Sequence, residues 1–361
     1  MEVGIVGLPQ SGKTTVFNAL TRGTAIVSSY ASDGKPNVGV AKVSDSRLTA
    51  LAEFFKSERT VMSEVTYFDL PARPGSDDGA GISGERLTHL QRAAALVLTV
   101  RAFENPSVPL PPKGIDPLRD ARALRDELTL ADLEVLERRS TRLEEGLKGA
   151  KSSEREGLIR ERETVEGVRA DLEDGTPVRD QKLSADAERA LSGFKLLTAK
   201  PVVVLANVDE DGIAEMATLE EGLESELSVR AAALCGQLEM ELAQMDAADE
   251  EEFRASMGLG KSGLDRMITL THDVLDLITF FSASDQEARS WTMSRGSTAL
   301  NFAEMIHSDI AKGFIRAETV GLDDLLRCGS IAESRKQGLL RQEGKGYLVK
   351  EGDVLKVLFN V

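Results

Sequence analysis

The sequence predicts an α/β protein whose main part is a parallel sheet with helices on both faces. Three observations lead there. Short apolar runs ("EVGIVGL" near residue 2, "VTYFDL" near 65, "LVLTVRAF" near 96, "PVVVLAN" near 201) alternate with helical patterns. A charged helical stretch, with no β-rich run, interrupts this rhythm between about Pro117 and Ala199. From about Ile278 the texture becomes short strands divided by Gly-containing turns, as in "GFIRAETVG" and "GYLVKEGDVLKVLFNV", which predicts a small separate α+β module.

The first element carries the strongest motif. "GLPQSGKT", Gly7 to Thr14, satisfies G-x-x-x-x-G-K-[ST], with an apolar strand before it and the helical "TVFNALT" after it. Glycines at 7 and 12 permit the backbone to aim successive N–H groups inward, and the helix start adds its positive dipole end. The expected phosphate cradle is Gln10, Ser11, Gly12, Lys13, Thr14 and Thr15. Lys13 supplies a point charge to the β- and γ-phosphates, and the Thr14 hydroxyl a ligand for Mg2+. Asp69, which ends "VTYFD", stands where P-loop proteins keep the acidic residue that holds magnesium. P-loop GTPases continue as D-x-x-G, but this chain reads "DLPA", with Ala72 at the glycine position and Arg73 beside it instead of a water-orienting Gln. Hydrolysis is then expected to be slow, or to rely on another group.

In the helical stretch, Leu133, Leu136, Leu143 and Leu147, with Ser140 at the missing heptad place, form one stripe, and Leu158, Val165, Val168 and Leu172 form another. Joined by the polar "GAKSS", they predict an antiparallel coiled-coil hairpin; the alternative is helices packed onto the main domain. After it, "NVDE" ends the strand at Asn207. GTPases read the paired donors of guanine with the carboxylate of N-K-x-D, whereas here Val208 replaces the Lys and Glu210 the Asp. Mismatched polar groups at a base site discriminate strongly. Adenine is therefore expected, with Asn207 near N7 and N6 and the Val208 side chain or backbone against the ring; the alternative is that Asp209 or Glu210 still reads guanine. The acidic patch Asp249 to Glu252 reads as a solvated helix face.

Composition narrows the classes. With 361 residues, 41% hydrophobic and 29% charged, the chain is ordinary for a globular protein of two or three domains. No run approaches the roughly 18 apolar residues of a membrane span, and "MEVGIVG" lacks the basic and apolar regions of a secretory signal. Two cysteines, Cys235 and Cys328, give no disulfide framework or zinc cluster, so a cytoplasmic location is expected. A net charge of −16 argues against nonspecific nucleic-acid binding by the whole surface. From Thr279 onward, however, eleven Lys and Arg balance eleven Asp and Glu, with Arg335, Lys336, Arg341, Lys345 and Lys350 close together. His307, His89, His272 and the aromatics Trp291, Phe280, Phe281 and Phe314 read as structural.

These motifs together resemble a known family, the YchF/Obg-like ATPases, a translation-associated branch of the P-loop GTPases. The likeness covers almost the whole chain, through "GIVGLPQSGKTTVFNAL", "LAEFFKSERT", "LANVDEDG", "IHSDIAKGFIRAETV" and "YLVKEGDVLKVLFNV". It implies a Ras-like nucleotide-binding domain over 1–116 and 200–277, a helical coiled-coil insertion over 117–199, and a C-terminal TGS (β-grasp) domain over 278–361 that contacts RNA or the ribosome. It also links the NxxE base loop to ATP. Three departures stand out. Gln10 and Ser11 replace Asn and Val of N-V-G-K-S, which puts potassium-assisted hydrolysis in doubt; "SSYASDGKPNVG" has Asp33 or Ser32 nearest the place of the magnesium-binding Thr; and D-x-x-G is lost. The expected function is a cytoplasmic, magnesium-dependent ATPase of low turnover with a ribosome- or RNA-related partner and no membrane. The alternatives are a non-hydrolysing ATP-sensing scaffold, a GTPase, and an RNA-binding factor with a vestigial nucleotide site.

Overall fold

The computed structural model describes residues 1–23, 36–70, 82–257 and 259–360. Its first elements are β1 (Glu2–Gly7), α1 (Lys13–Thr21), β2 (Asn37–Lys42), α2 (Ser46–Phe55), β3 (Arg59–Val61), β4 (Glu64–Asp69), α3 (Gly84–Arg92) and β5 (Ala95–Ala102). Helices α4 (Pro117–Gly149), α5 (Ser152–Glu173) and α6 (Ala185–Leu191) follow, then β6 (Val202–Val208), α7 (Met216–Leu227), β7 (Arg230–Leu234), α8 (Gly236–Leu242), α9 (Ala247–Ser256) and α10 (Gly263–Val274). The chain ends with β8 (Leu277–Ala283), β9 (Glu287–Ser294), α11 (Ala299–Ile306), α12 (Ser308–Lys312), β10 (Phe314–Gly321), α13 (Leu322–Cys328), α14 (Ile331–Lys336), β11 (Arg341–Glu343) and β12 (Asp353–Phe359). It divides into two compact units, 1–41 with 66–267, and 42–65 with 268–361.

The first unit is built on a sheet of order β2-β4-β1-β5-β6-β7, in which the successive pairs from β4 to β7 are parallel. Strands covered on both faces must be apolar throughout. β6, "VVVLANV", is accordingly buried at every residue, and β5 at all but its last. Asp116 caps α4 by accepting from the Arg119 amide at 2.9 Å, with Pro117 in the first turn where a missing N–H costs nothing.

The two halves of α4 pack against different partners. Ala121, Leu124, Leu128 and Ala131 pack into the main core with Leu98, Val204 and Leu227. Leu136 and Leu143 pair instead with Val165, Val168 and Leu172 of α5, and Val178, Leu191 and Leu196 close that second core. The pairing is antiparallel, since Arg139 bonds Glu161 at 2.8 Å while Gly146 lies against Leu158. The expected insertion boundary at 117 thus falls inside the core of the sheet unit, because the first turns of α4 present an apolar face to it. Asp132 fastens the return strand. Fully buried, it accepts from the Leu197 and Thr198 amides and the Thr198 hydroxyl at 2.7–2.8 Å.

The second unit holds a sheet of order β11-β10-β12-β8-β9-β3. Phe280, Phe302 and Trp291 meet edge to face at its centre, Phe281 and Phe314 are buried, and the Trp291 indole N–H donates to Ser282. His307 caps α12 by accepting from the Asp309 amide. The compact unit is larger than the expected 278–361 domain. The unit takes in Ile268 onward, and it recruits 42–65, whose Leu48 and Leu51 bury against Phe281, Val320 and Leu325 while β3 lies parallel to β9. A three-residue strand gives no alternating pattern to read. The local basic concentration is partly neutralised: Arg335 pairs with Glu318, Lys336 with Glu333 and Arg341 with Glu343.

Removing the Asp132 carboxylate leaves three buried donors unanswered. Asp132→Ala is expected to lower stability by at least about 2 kcal/mol, seen as an earlier midpoint when urea unfolding is followed by helical circular dichroism. An unchanged midpoint would show that the tether is not stabilising.

Candidate functional site

The site lies at the carboxyl ends of β1, β4, β5 and β6, where a parallel sheet with helical crossovers opens to ligands. β1 stops at Gly7 and α1 begins at Lys13. Between them Gln10 (φ 63°) and Gly12 (φ 83°) are left-handed, and the Ser11 amide donates to the Leu8 carbonyl at 3.2 Å. Such a turn points successive N–H groups into a concavity suited to an anion. Glycine is required at position 12 for space as well as for φ, since a Cβ there would stand 2.1 Å from Asn207 Nδ2. Ser11 is buried, and its hydroxyl has no hydrogen-bond partner. Thr15 is buried on α1.

Lys13 is buried, 8% exposed. Burial pushes its ammonium below the ordinary value; Asp69 opposes that shift and the positive charge of Arg86 adds to it. The Thr14 hydroxyl donates to Asp69 Oδ2 at 2.7 Å, and Nδ2 of Asn37, a residue outside the phosphate-loop motif, donates to the same oxygen at 3.3 Å. Asp69 is wholly buried, yet its other oxygen, Oδ1, has no partner. Two hard oxygens meeting beside an unanswered carboxylate oxygen fit magnesium. That ion needs only one or two protein ligands and takes the rest from water and phosphate. Among the described residues no group of three or more His, Cys, Asp or Glu could hold a metal by itself. Asp33, Ser32, Ala72 and Arg73 lie outside the described residues.

Asn207 belongs to the same site by a different use of its amide. Its Nδ2 donates to the Ser11 carbonyl at 3.2 Å and its Oδ1 accepts from the Gly236 amide at 3.0 Å, so the side chain joins the phosphate loop to the turn after β7. One N–H remains. That hydrogen suits N7 of either purine, while the carbonyl expected to meet N6 of adenine is already engaged. Val208 buries its side chain in the main core, 4% exposed, so only its backbone can border a base. Asp209 accepts from the Glu104 amide at 2.9 Å and the Gly212 amide at 3.0 Å, while Glu210 is exposed.

Phe103 completes the site and was not anticipated. Its Cε1 lies 3.6 Å from where a Cβ on Gly12 would stand. Buried Arg101 stacks over the ring at 4.7 Å and donates to the Phe103 and Pro109 carbonyls. The available signal was an aromatic residue directly after the strand "LVLTVRA". Behind the base loop, a cleft of about 370 Å³ lined by Ile213, Met216, Cys235 and Leu238 contains no phosphate-loop residue. The acidic patch is exposed at Asp249, Glu251 and Glu252 but not at its fourth residue. Glu250 is buried and bonds both Arg22, at the end of α1, and Arg254; burial works to raise its pKa, but these bonds hold it below the ordinary value.

Residues 2–129 match the family described as a 50S ribosome-binding GTPase, and 277–360 match YchF-GTPase_C, described as a protein of unknown function. The chain is similar to the ribosome-binding ATPase YchF of Bacillus subtilis, 34% identical over 100% of both chains, and to that of Escherichia coli O157:H7, 35% identical over 99% of both. The solved structure of the Schizosaccharomyces pombe YchF GTPase superposes with a TM-score of 0.85 at 26% identity, covering 99% of this chain and 97% of that one.

The buried ammonium makes a pH prediction. A lysine whose folded pKa lies below the unfolded 10.5 binds fewer protons in the native state between those two values, so native stability rises with pH across that window. Melting temperatures of the nucleotide-free protein should show this alkaline rise, and Lys13→Met should flatten it. Parallel curves for the two proteins would count against a buried, charged Lys13.

Proposed function

The chain belongs to the YchF family, and from that premise we propose that it is a magnesium-dependent, slowly hydrolysing ATPase that couples its nucleotide state to a ribosome- or RNA-related partner in the cytoplasm. The observation that carries the reading is the buried Lys13 ammonium, set beside a left-handed N–H turn and opposed by a single buried carboxylate, Asp69. A buried charge with so little compensation calls for an anionic ligand.

In this mechanism the backbone of Gln10 to Thr15 wraps the phosphates and Lys13 balances their charge. Thr14 and Asp69 would hold magnesium. When bound, that ion neutralises charge on the β- and γ-phosphate oxygens. The Asn207 N–H left over from the Ser11 bond would meet N7, and the Phe103 ring, fixed by Arg101, would face the base. Adenine is favoured because both Asp209 oxygens already accept backbone amides and Glu210 is exposed, which leaves no fixed carboxylate for the donor pair of guanine. The chemistry is positioning and electrostatic stabilisation of attacking water. The α4–α5 hairpin, as a coiled coil, and the second unit, as a TGS-type β-grasp module, would carry the ribosome or RNA contact. No helix among the described residues is long and apolar enough to cross a membrane.

Calorimetric titration of ATP and GTP against the nucleotide-free protein with magnesium, together with phosphate release, tests this reading. Tighter ATP binding is expected, with slow release abolished in Lys13→Ala. A hundredfold preference for GTP would overturn the base assignment, and tight ATP binding without release would favour the scaffold.

A further inference from the structure

Arg86 is a cation that the described protein compensates only weakly. It lies in the first turn of α3, at the positive end of the helix dipole, where a positive charge is unfavourable. Its Nε is buried with no hydrogen-bond partner. Its charge also opposes that of Lys13. Half-buried Glu127 is near enough to feel Arg86, but burial dominates that carboxyl and raises its pKa.

The fold explains how Arg86 comes near the phosphate loop. Leu90 of α3 packs over β1, with its Cδ2 3.2 Å from where a Cβ on Gly4 would stand. Arg86 is one turn earlier on the same helix face, about 6 Å back along the axis. Because α3 connects the end of β4 to the start of β5, both parallel to β1, it runs against the strands. That turn therefore reaches toward the Gly7 end of β1, where the phosphate loop begins.

We infer that Arg86 is a catalytic residue supplied in cis, whose guanidinium contacts the terminal phosphoryl group of the bound triphosphate. The inference rests on the ATPase reading above. In the reaction, the water oxygen bonds to the terminal phosphorus as the bond from that phosphorus to the β,γ-bridging oxygen breaks. The bond pair stays on ADP, and the water proton leaves with inorganic phosphate. Arg86 moves no proton, being charged throughout; it offsets the negative charge that spreads over the phosphoryl and bridging oxygens, as an arginine finger does.

Wild type, Arg86→Gln, Arg86→Lys and Lys13→Ala separate the possibilities. Each is measured for affinity to ADP and to a non-hydrolysable ATP analogue, for single-turnover phosphate release from ATP, and for melting temperature. Arg86→Gln is expected to keep ADP affinity and melting temperature while losing about 10²–10³-fold in release rate; Arg86→Lys, without the planar fork, should fall between. Release by Arg86→Gln at the wild-type rate overturns the inference alone. So does an equal loss of ADP and analogue affinity with a lowered melting temperature, which marks a structural arginine. A wild-type protein that binds no triphosphate, binds without release, or is unaffected by Lys13→Ala overturns the inference together with the ATPase reading.

Discussion

A single amide, that of Asn207, holds the phosphate loop, the base loop and the turn after β7 in one arrangement. Its position is imposed by the parallel sheet, since Asn207 pairs in register with Arg101 on one side and Leu234 on the other. From there it reaches the Ser11 carbonyl and the Gly236 amide. The arrangement requires Gly12 and Gly236 to lack side chains, because a Cβ on either would collide with that amide. Backbone conformation, strand register and side-chain hydrogen bonding thus all act on the same few atoms. A loop constrained in this way is preorganised for phosphate, so little ordering cost remains for binding.

The electrostatics around that loop are unbalanced toward positive charge. Lys13 feels the positive charge of Arg86 as well as the negative charge of Asp69, its buried counter-ion, and Asp69 Oδ2 already accepts from Thr14 and Asn37. Burial makes each of these charges costly, and a low-dielectric surround strengthens whatever anion answers them. The contrast with Glu250 is informative. That carboxylate is also buried, but two arginines answer it, and its role is to tie α9 to the end of α1. Buried charge with internal partners serves architecture, whereas buried charge without them is poised for a ligand.

How much could be read in the sequence depended on the range over which the relevant forces act. The phosphate loop was legible because its chemistry is local: glycine, lysine and threonine at fixed offsets serve one turn. The buried strands were legible because burial on both faces demands continuous apolar runs. Asn207 was expected near N7 and N6 of the base, but its carbonyl accepts from the Gly236 amide, a partner distant in sequence. The Val208 side chain, one of the two groups expected against the ring, is buried for a reason equally invisible in sequence, since that burial is a property of the assembled core. Phe103 and Arg86 carry no motif, and their positions follow from packing alone. The solvated reading of Asp249 to Glu252 failed at one residue, because Arg22 lies 228 positions away.

The division into units shows the same limit at the level of domains. Residues 42–65 read as part of the nucleotide-binding region by continuity, yet α2 has to bury Leu48 and Leu51, and the surface that accepts them is formed by Phe281, Val320 and Leu325. Arg47 adds ion pairs to Asp45 and Glu351, and Glu351 in turn accepts from the Thr279 amide. The second unit therefore has no complete core without a segment made more than 200 residues earlier. That segment is bracketed in the chain by the two strands that carry Asn37 and Asp69, which meet at the carboxylate beside Thr14. The excursion begins five residues after Asn37 and returns four residues before Asp69. The residues that meet at the Asp69 carboxylate are thus joined by a few peptide bonds to those that complete the second core, and this short covalent path belongs to the fold whatever ligand is bound.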